Sequence, residues 1–159
     1  MRQFKKVAVG GTFDKLHKGH RALLGKALEI GEKVVIGLTS DSFVAKMGKP
    51  HKTAPYDERR RELEAYLTQQ GFARCTEIVP LSDTYGLTIS GQGFDALVVS
   101  RDTLKIAYAI NEKRQKAGLT PLEIVTVEMV PAENDCPIST TRIRSGEIDR
   151  NGHMLKQAV

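Results

Sequence analysis

Two glycines, a hydroxyl, a carboxylate and two imidazoles crowd into one stretch, Gly10-Gly11-Thr12-Phe13-Asp14-Lys15-Leu16-His17-Lys18-Gly19-His20. The stretch follows a short apolar run, Val7-Ala8-Val9, and precedes an amphipathic one, so it occupies a strand-to-helix crossing. Gly10 and Gly11 are expected to let the backbone turn tightly and approach a ligand with no β-carbon in the way. Thr12 can donate its hydroxyl to a phosphate oxygen. His17 and His20 lie one helical turn apart and share a face at the helix start, where backbone N–H groups favour anions. Such a set suits a site that holds a phosphate chain and stabilises charge while a phosphorus–oxygen bond is exchanged. A glycine turn with two surface histidines is the plainer account of a His-x-x-His pair alone. The adjoining Gly-Gly-Thr-Phe-Asp is what argues against it.

A second group is Pro137-Ile138-Ser139-Thr140-Thr141-Arg142-Ile143-Arg144-Ser145-Gly146. Ser139 and Thr140 are favoured helix N-caps, and Arg142 and Arg144 could simply be solvated. Hydroxyls, N–H groups and a guanidinium at the rim of a sheet would equally make a pyrophosphate site. Lys46 or Lys49 could neutralise a reacting phosphate, and Arg101 follows a strand-like run at a suitable place. Two strings mislead. Gly91-Gln92-Gly93-Phe94-Asp95-Ala96 fits a dinucleotide fingerprint but precedes a strand, and Gly48-Lys49 lacks the glycine spacing and the Ser/Thr of a Walker A loop.

Strand and helix patterns alternate around these groups. Strands are expected at Lys5 to Val9, Lys33 to Leu38, Glu77 to Val79, Ala96 to Val99 and Leu122 to Val127. One helix runs on from His20 with Leu23, Leu24, Ala27 and Leu28 on one side, and Gly31 is its expected stop. Another opens at Pro55-Tyr56-Asp57-Glu58, with carboxylates at the positive end of the dipole. A third covers Thr103 to Lys116, with Ile106, Ala109 and Ile110 on its apolar face. Polar Thr39-Ser40-Asp41-Ser42 reads as loop. Alternation of this kind implies a parallel sheet with helices on both faces. Ligands in such sheets bind beyond the carboxyl ends of the strands, which puts the segments after Val9, Leu38, Val99 and Val127 on one rim.

The chain's 159 residues fit one domain, 1–159, with a loosely held tail after about Asn151. No apolar run nears the roughly 20 residues that cross a bilayer, and the N-terminus lacks a signal-peptide core. Cys75 and Cys136 form no Cys-x-x-Cys pair and have no histidines at zinc-ligand spacing, so a reduced, cytoplasmic protein is expected. The net charge of +5 points to an anionic partner. With 6% aromatic residues, no Trp and no nucleic-acid-binding signature, small polyanions are expected in preference to nucleic acid or membrane.

Gly11-Thr12-Phe13-Asp14 with His17-x-Gly19-His20, and Ile138-Ser139-Thr140-Thr141, resemble the paired signatures of the Rossmann-like nucleotidyltransferase superfamily. Lys46, Pro55-Tyr56-Asp57-Glu58-Arg59, Asp83-Thr84-Tyr85-Gly86 and Ile110-Asn111-Glu112-Lys113-Arg114 look most like the phosphopantetheine adenylyltransferases of archaeal and eukaryotic type. The likeness runs from Val7 to Asp149. It implies an α/β fold, a Rossmann-like doubly wound five-stranded parallel sheet. It also implies transfer of AMP from ATP to 4′-phosphopantetheine, giving dephospho-coenzyme A and pyrophosphate, with Mg2+ accompanying ATP. By the same resemblance His20, Thr12 and Lys46 serve at the point of attack. Gly10, Gly11, Phe13, Asp14, His17, Arg101, Ser139, Thr140, Thr141 and Arg142 bind nucleotide, and no residue is expected to ligate a metal. The expected state is a monomer or small homo-oligomer. A cytidylyltransferase acting on glycerol phosphate or an alcohol-phosphate headgroup is the alternative, though Asn134-Asp135-Cys136-Pro137 lacks that branch's arginine-threonine lead-in. A non-enzymatic nucleotide- or RNA-binding module would keep the glycines but need not keep both histidines.

Overall fold

The computed structural model describes residues 3–48, 53–83, 93–128, 143 and 150–151. Five strands form one parallel sheet: β1 (Phe4–Gly11), β2 (Gly31–Thr39), β3 (Thr76–Leu81), β4 (Ala96–Ser100) and β5 (Glu123–Val127). Their order is β3-β2-β1-β4-β5, so the chain builds outward from β1 in one direction and then returns to build outward in the other. The reversal of strand order falls between β1 and β4, and the crevice beyond their carboxyl ends is where such sheets take ligands.

Period-two burial divides the core into two layers. Val7 and Val9 of β1, Val34, Ile36 and Leu38 of β2, and Ala96 and Val98 of β4 face one side. There they meet Leu24, Ala27 and Leu28 of α1 (Lys18–Ile30) and Leu63 and Leu67 of α3 (Tyr56–Gln69). Ala8, Val35 and Leu97 face the other side, against Ala107 and Ile110 of α4 (Leu104–Lys116). Both faces are therefore covered, which is why these strands read as near-continuous apolar runs. Among the described residues no helix is long and apolar enough to cross a membrane.

Three local expectations are corrected. Gly31 does end α1, but with an extended backbone (φ −110°) and not a left-handed one. It is needed because a β-carbon there would lie 2.7 Å from Val7 Cγ2, where β2 begins without any loop. On α4 the buried face is Ala107, Ile110 and Arg114, while Ile106 is 44% exposed. Asn111 helps hold this rotation: its amide donates to Leu122 O (2.9 Å) and accepts from Leu122 N (2.7 Å), tying α4 to the entry of β5. The segment after β2 is not a loop but a short helix, α2 (Asp41–Met47). Ser40 Oγ caps it by accepting from Phe43 N, and Gly48 closes it in the left-handed region (φ 61°).

Candidate active site

The carboxyl end of β1 enters the crevice as Gly10 and Gly11, which are ordinary strand residues paired with Gly37 and Leu38 of β2. The expected glycine turn is displaced. The chain reverses instead at Phe13 (φ 50°) and Lys15 (φ 52°), side chains held where only glycine is comfortable. Conformations of this kind cost on the order of 1–3 kcal/mol and persist only where the surroundings over-determine them. Here Phe13 is 1% exposed in the core and Asp14 is equally buried, its Oδ1 accepting from Ala54 N at 3.3 Å. Gly11 keeps its place for a different reason: a β-carbon would come within 3.1 Å of the Phe13 ring.

The two histidines form one unit. His17 is the N-cap of α1, and its Nδ1 accepts from Gly19 N (3.0 Å) and His20 N (3.3 Å). His20 Nδ1 reaches back to accept from His17 N (3.2 Å), a reciprocal capping box written with two imidazoles. The rings stack with centroids 3.6 Å apart, and Phe13 lies against the second ring at 5.2 Å. Each Nδ1 accepts, so in the neutral rings each proton sits on Nε2, a tautomer assigned from the hydrogen-bond geometry. Burial, and then the charges of Arg21 and Arg150, push the His17 pKa down to about 4. His17 is therefore a neutral structural imidazole, while half-buried His20 has a donor Nε2–H.

The first-turn N–H groups of α1, expected to be an anion cradle, are already committed. Lys18 N donates to Arg150 O at 2.8 Å, and Gly19 N and His20 N are taken by His17. An anion at this end of α1 would meet the helix dipole and the imidazole edge, without free backbone donors.

Thr12 follows Gly11 and lies half-buried beside Thr39, the last residue of β2. Thr39 Oγ1 donates to Thr12 Oγ1 at 3.1 Å. Behind both stands Arg59, 2% exposed, which fastens four segments together. It donates to Thr12 O (3.0 Å), Thr39 Oγ1 (3.2 Å), Ala54 O (2.8 Å) and Asp41 Oδ1 (3.2 Å). Asp41 Oδ1 also accepts from Tyr56 N at 2.9 Å, joining the start of α2 to the start of α3. Sequence reasoning missed the roles of Arg59 and Thr39. The signal was present: Arg59 is in phase with Leu63 and Leu67 on the buried stripe of α3, and Thr39 ends a strand on the ligand rim.

Lys46 lies exposed in the last turn of α2, on a helix that leaves the same rim, with no ion pair to a described residue. Arg101 begins a short 3-10 turn after β4 and pairs with Glu128, just beyond β5, at 3.5 Å. Both partners are largely exposed, so that pair contributes little and leaves Arg101 available at the rim. Gly10, Gly11, Thr12, Phe13, Asp14, His17 and His20 are thus drawn together, with Lys46 and Arg101 on flanking elements. Ser139, Thr140, Thr141 and Arg142 lie outside the described residues, as do Lys49 and the tail after Asn151. Just past the second motif, Arg150 and Asn151 sit against α1, where Asn151 Oδ1 accepts from Arg21 and Arg150 pairs with Glu62 of α3. Among the described residues no three His, Cys, Asp or Glu side chains are grouped to hold a metal ion.

Comparison with known proteins bears on the family and the fold. A cytidylyltransferase-like family profile matches residues 8–146. A phosphopantetheine adenylyltransferase of Methanothermobacter thermautotrophicus is 46% identical over 156 residues, covering 98% of this chain and 93% of the relative. One from Methanopyrus kandleri is 47% identical over 147 residues, 92% of each chain. A crystal structure of an Archaeoglobus fulgidus protein of unknown function superposes with a TM-score of 0.69 at 36% identity, over 77% of this chain and 88% of that one.

Proposed function

The chain belongs to the cytidylyltransferase-like family, in its phosphopantetheine adenylyltransferase branch, and we propose that it transfers AMP from ATP to 4′-phosphopantetheine. The products are dephospho-coenzyme A and pyrophosphate. The observation that carries the reading is the imidazole pair and Thr12 gathered just beyond the carboxyl end of β1, in a chain with near full-length kinship to those enzymes. That kinship favours ATP over the CTP-dependent alternative.

In this reaction a phosphate oxygen of one substrate attacks the α-phosphorus of the other. The bond from that phosphorus to the bridging oxygen breaks, and pyrophosphate leaves with the electron pair. The nucleophile is already an anion, so no side chain need deprotonate it. What remains for the chain is alignment and stabilisation of charge at the phosphorus. We assign that work to the His20 Nε2–H and the Thr12 hydroxyl at the α-phosphate, with Lys46 between the two anions. Gly10, Gly11 and Arg101 line the nucleotide, buried Phe13, Asp14 and His17 support that surface from behind in place of the direct contact expected of them, and Ser139 to Arg142 receive the pyrophosphate end.

We infer that Mg2+ accompanies ATP, held by the substrate phosphates and not by a cluster of protein ligands, since no three His, Cys, Asp or Glu side chains are grouped for it among the described residues. It ordinarily keeps several waters and takes substrate phosphates plus one or two carboxylates, so a protein cage is not required. When bound it supplies neutralising charge to the phosphate chain.

Pyrophosphate release from ATP with 4′-phosphopantetheine, and from CTP with glycerol phosphate, tests the reading. Only the first pair should turn over, and His20→Ala should remove turnover with the fold retained by circular dichroism. Turnover of the second pair alone, or full activity in His20→Ala, would contradict it.

A further inference from the structure

Thr39 and Arg59 belong to neither signature motif, yet their hydrogen bonds have a direction. A guanidinium only donates, and it stays charged in proteins. Arg59 Nη1 therefore donates to Thr39 Oγ1 (3.2 Å), which leaves the Thr39 proton to be directed elsewhere. It goes to Thr12 Oγ1 at 3.1 Å. With a lone pair of Thr12 Oγ1 engaged from behind, its own proton has no acceptor among the described residues and projects away from Thr39. The same Nη1 holds Thr12 O at 3.0 Å, so backbone and hydroxyl of Thr12 are referenced to one buried group. Thr39 is 2% exposed, which keeps water from competing for this chain of donors.

We propose that Arg59 and Thr39 are positioning residues: a one-way relay, Arg59 to Thr39 to Thr12, presets the Thr12 hydroxyl as a donor to the phosphate. An unrestrained threonine hydroxyl rotates, and its proton must be reoriented when charge develops. Here the orientation is fixed before substrate arrives, and such preorganisation matters in the transition state more than in substrate binding. The inference rests on the proposed contact of Thr12 with the α-phosphate.

The test is steady-state kinetics with ATP and 4′-phosphopantetheine on Thr12→Val, Thr39→Val, Thr39→Ser and the Thr12→Val/Thr39→Val double variant, with folding checked by thermal melts. Loss of one preorganised donor costs ~100-fold in kcat, the expectation for Thr12→Val. Thr39→Val, which leaves the donor present but unoriented, should lower kcat about 10-fold with KM for ATP nearly unchanged. Thr39→Ser restores the relay and should recover most of that loss. Because Thr39 acts through Thr12, the double variant should be no worse than Thr12→Val alone. Wild-type kcat in Thr39→Val beside an impaired Thr12→Val, additive losses in the double variant, or no rescue by serine would overturn the relay alone. Full turnover by Thr12→Val would overturn the phosphate contact on which it rests.

Discussion

Protonating His17 should loosen the start of α1, and the size of the effect follows from its hydrogen bonds. In the fold its Nδ1 must stay unprotonated to accept from Gly19 N and His20 N, and its pKa is pushed down to about 4. In the unfolded chain it returns to 6.5. Above pH 6.5 both states are neutral and the contribution to stability is fully present. As pH falls the unfolded state takes the proton first, so stability declines until the folded-state value near 4 is reached. Linkage between those two values makes the loss from pH 7 to pH 5 about 2 kcal/mol. Urea unfolding at half-unit steps of pH would read this as a midpoint shift of about 1 M, for a slope near 2 kcal/mol per molar. His17→Asn supplies an uncharged oxygen acceptor at the same cap, and its stability should be flatter by about that 2 kcal/mol across the window. The other histidines are common to both proteins and cancel in the difference. Parallel pH curves for the two proteins would refute the assignment of the cap to a neutral imidazole.

Two further outcomes are expected from packing. Arg59→Lys replaces a fork that reaches Thr12 O, Thr39 Oγ1, Ala54 O and Asp41 by a point charge that cannot serve all four. Stranding two buried acceptors should cost about 3 kcal/mol and lower the melting temperature by roughly 6–12 °C in calorimetry. Gly31→Ala puts a methyl against Val7 Cγ2 and should cost about 1–3 kcal/mol by urea unfolding, with Val7→Ala relieving part of the loss in a double-mutant cycle.

The strands were legible because both faces of the sheet are covered: runs such as Val34 to Leu38 have no polar face to confuse their reading. The helices α1 and α3 were legible from one-sided apolar spacing and from Pro55. What sequence could not supply was rotation and tertiary commitment. Ile106 and Ala107 are adjacent, and tertiary ties such as the Asn111 clamp on Leu122 and the Arg114 hydrogen bond to Thr120 O accompany the turn of Ala107 inward. α2 was hidden because its seven residues give too few turns for periodicity, so that Ser40 before it and Gly48 after it were the signals available. Gly10 and Gly11 suggested a turn that Phe13 and Lys15 make instead, because long-range packing imposes a backbone that propensity disfavours. The imidazoles were found by type and spacing. That they would consume the first-turn N–H groups depended on their mutual hydrogen bonds and on the Arg150 carbonyl, which no local pattern encodes.

That carbonyl has a bearing on how the protein is made. The amide of Lys18 emerges during translation long before its backbone acceptor at Arg150. The helix that presents both imidazoles must therefore wait for this tether until all the residues between the two have been synthesised. Nascent chains arrested before that point would carry the signature residues without the clasp that finishes their support.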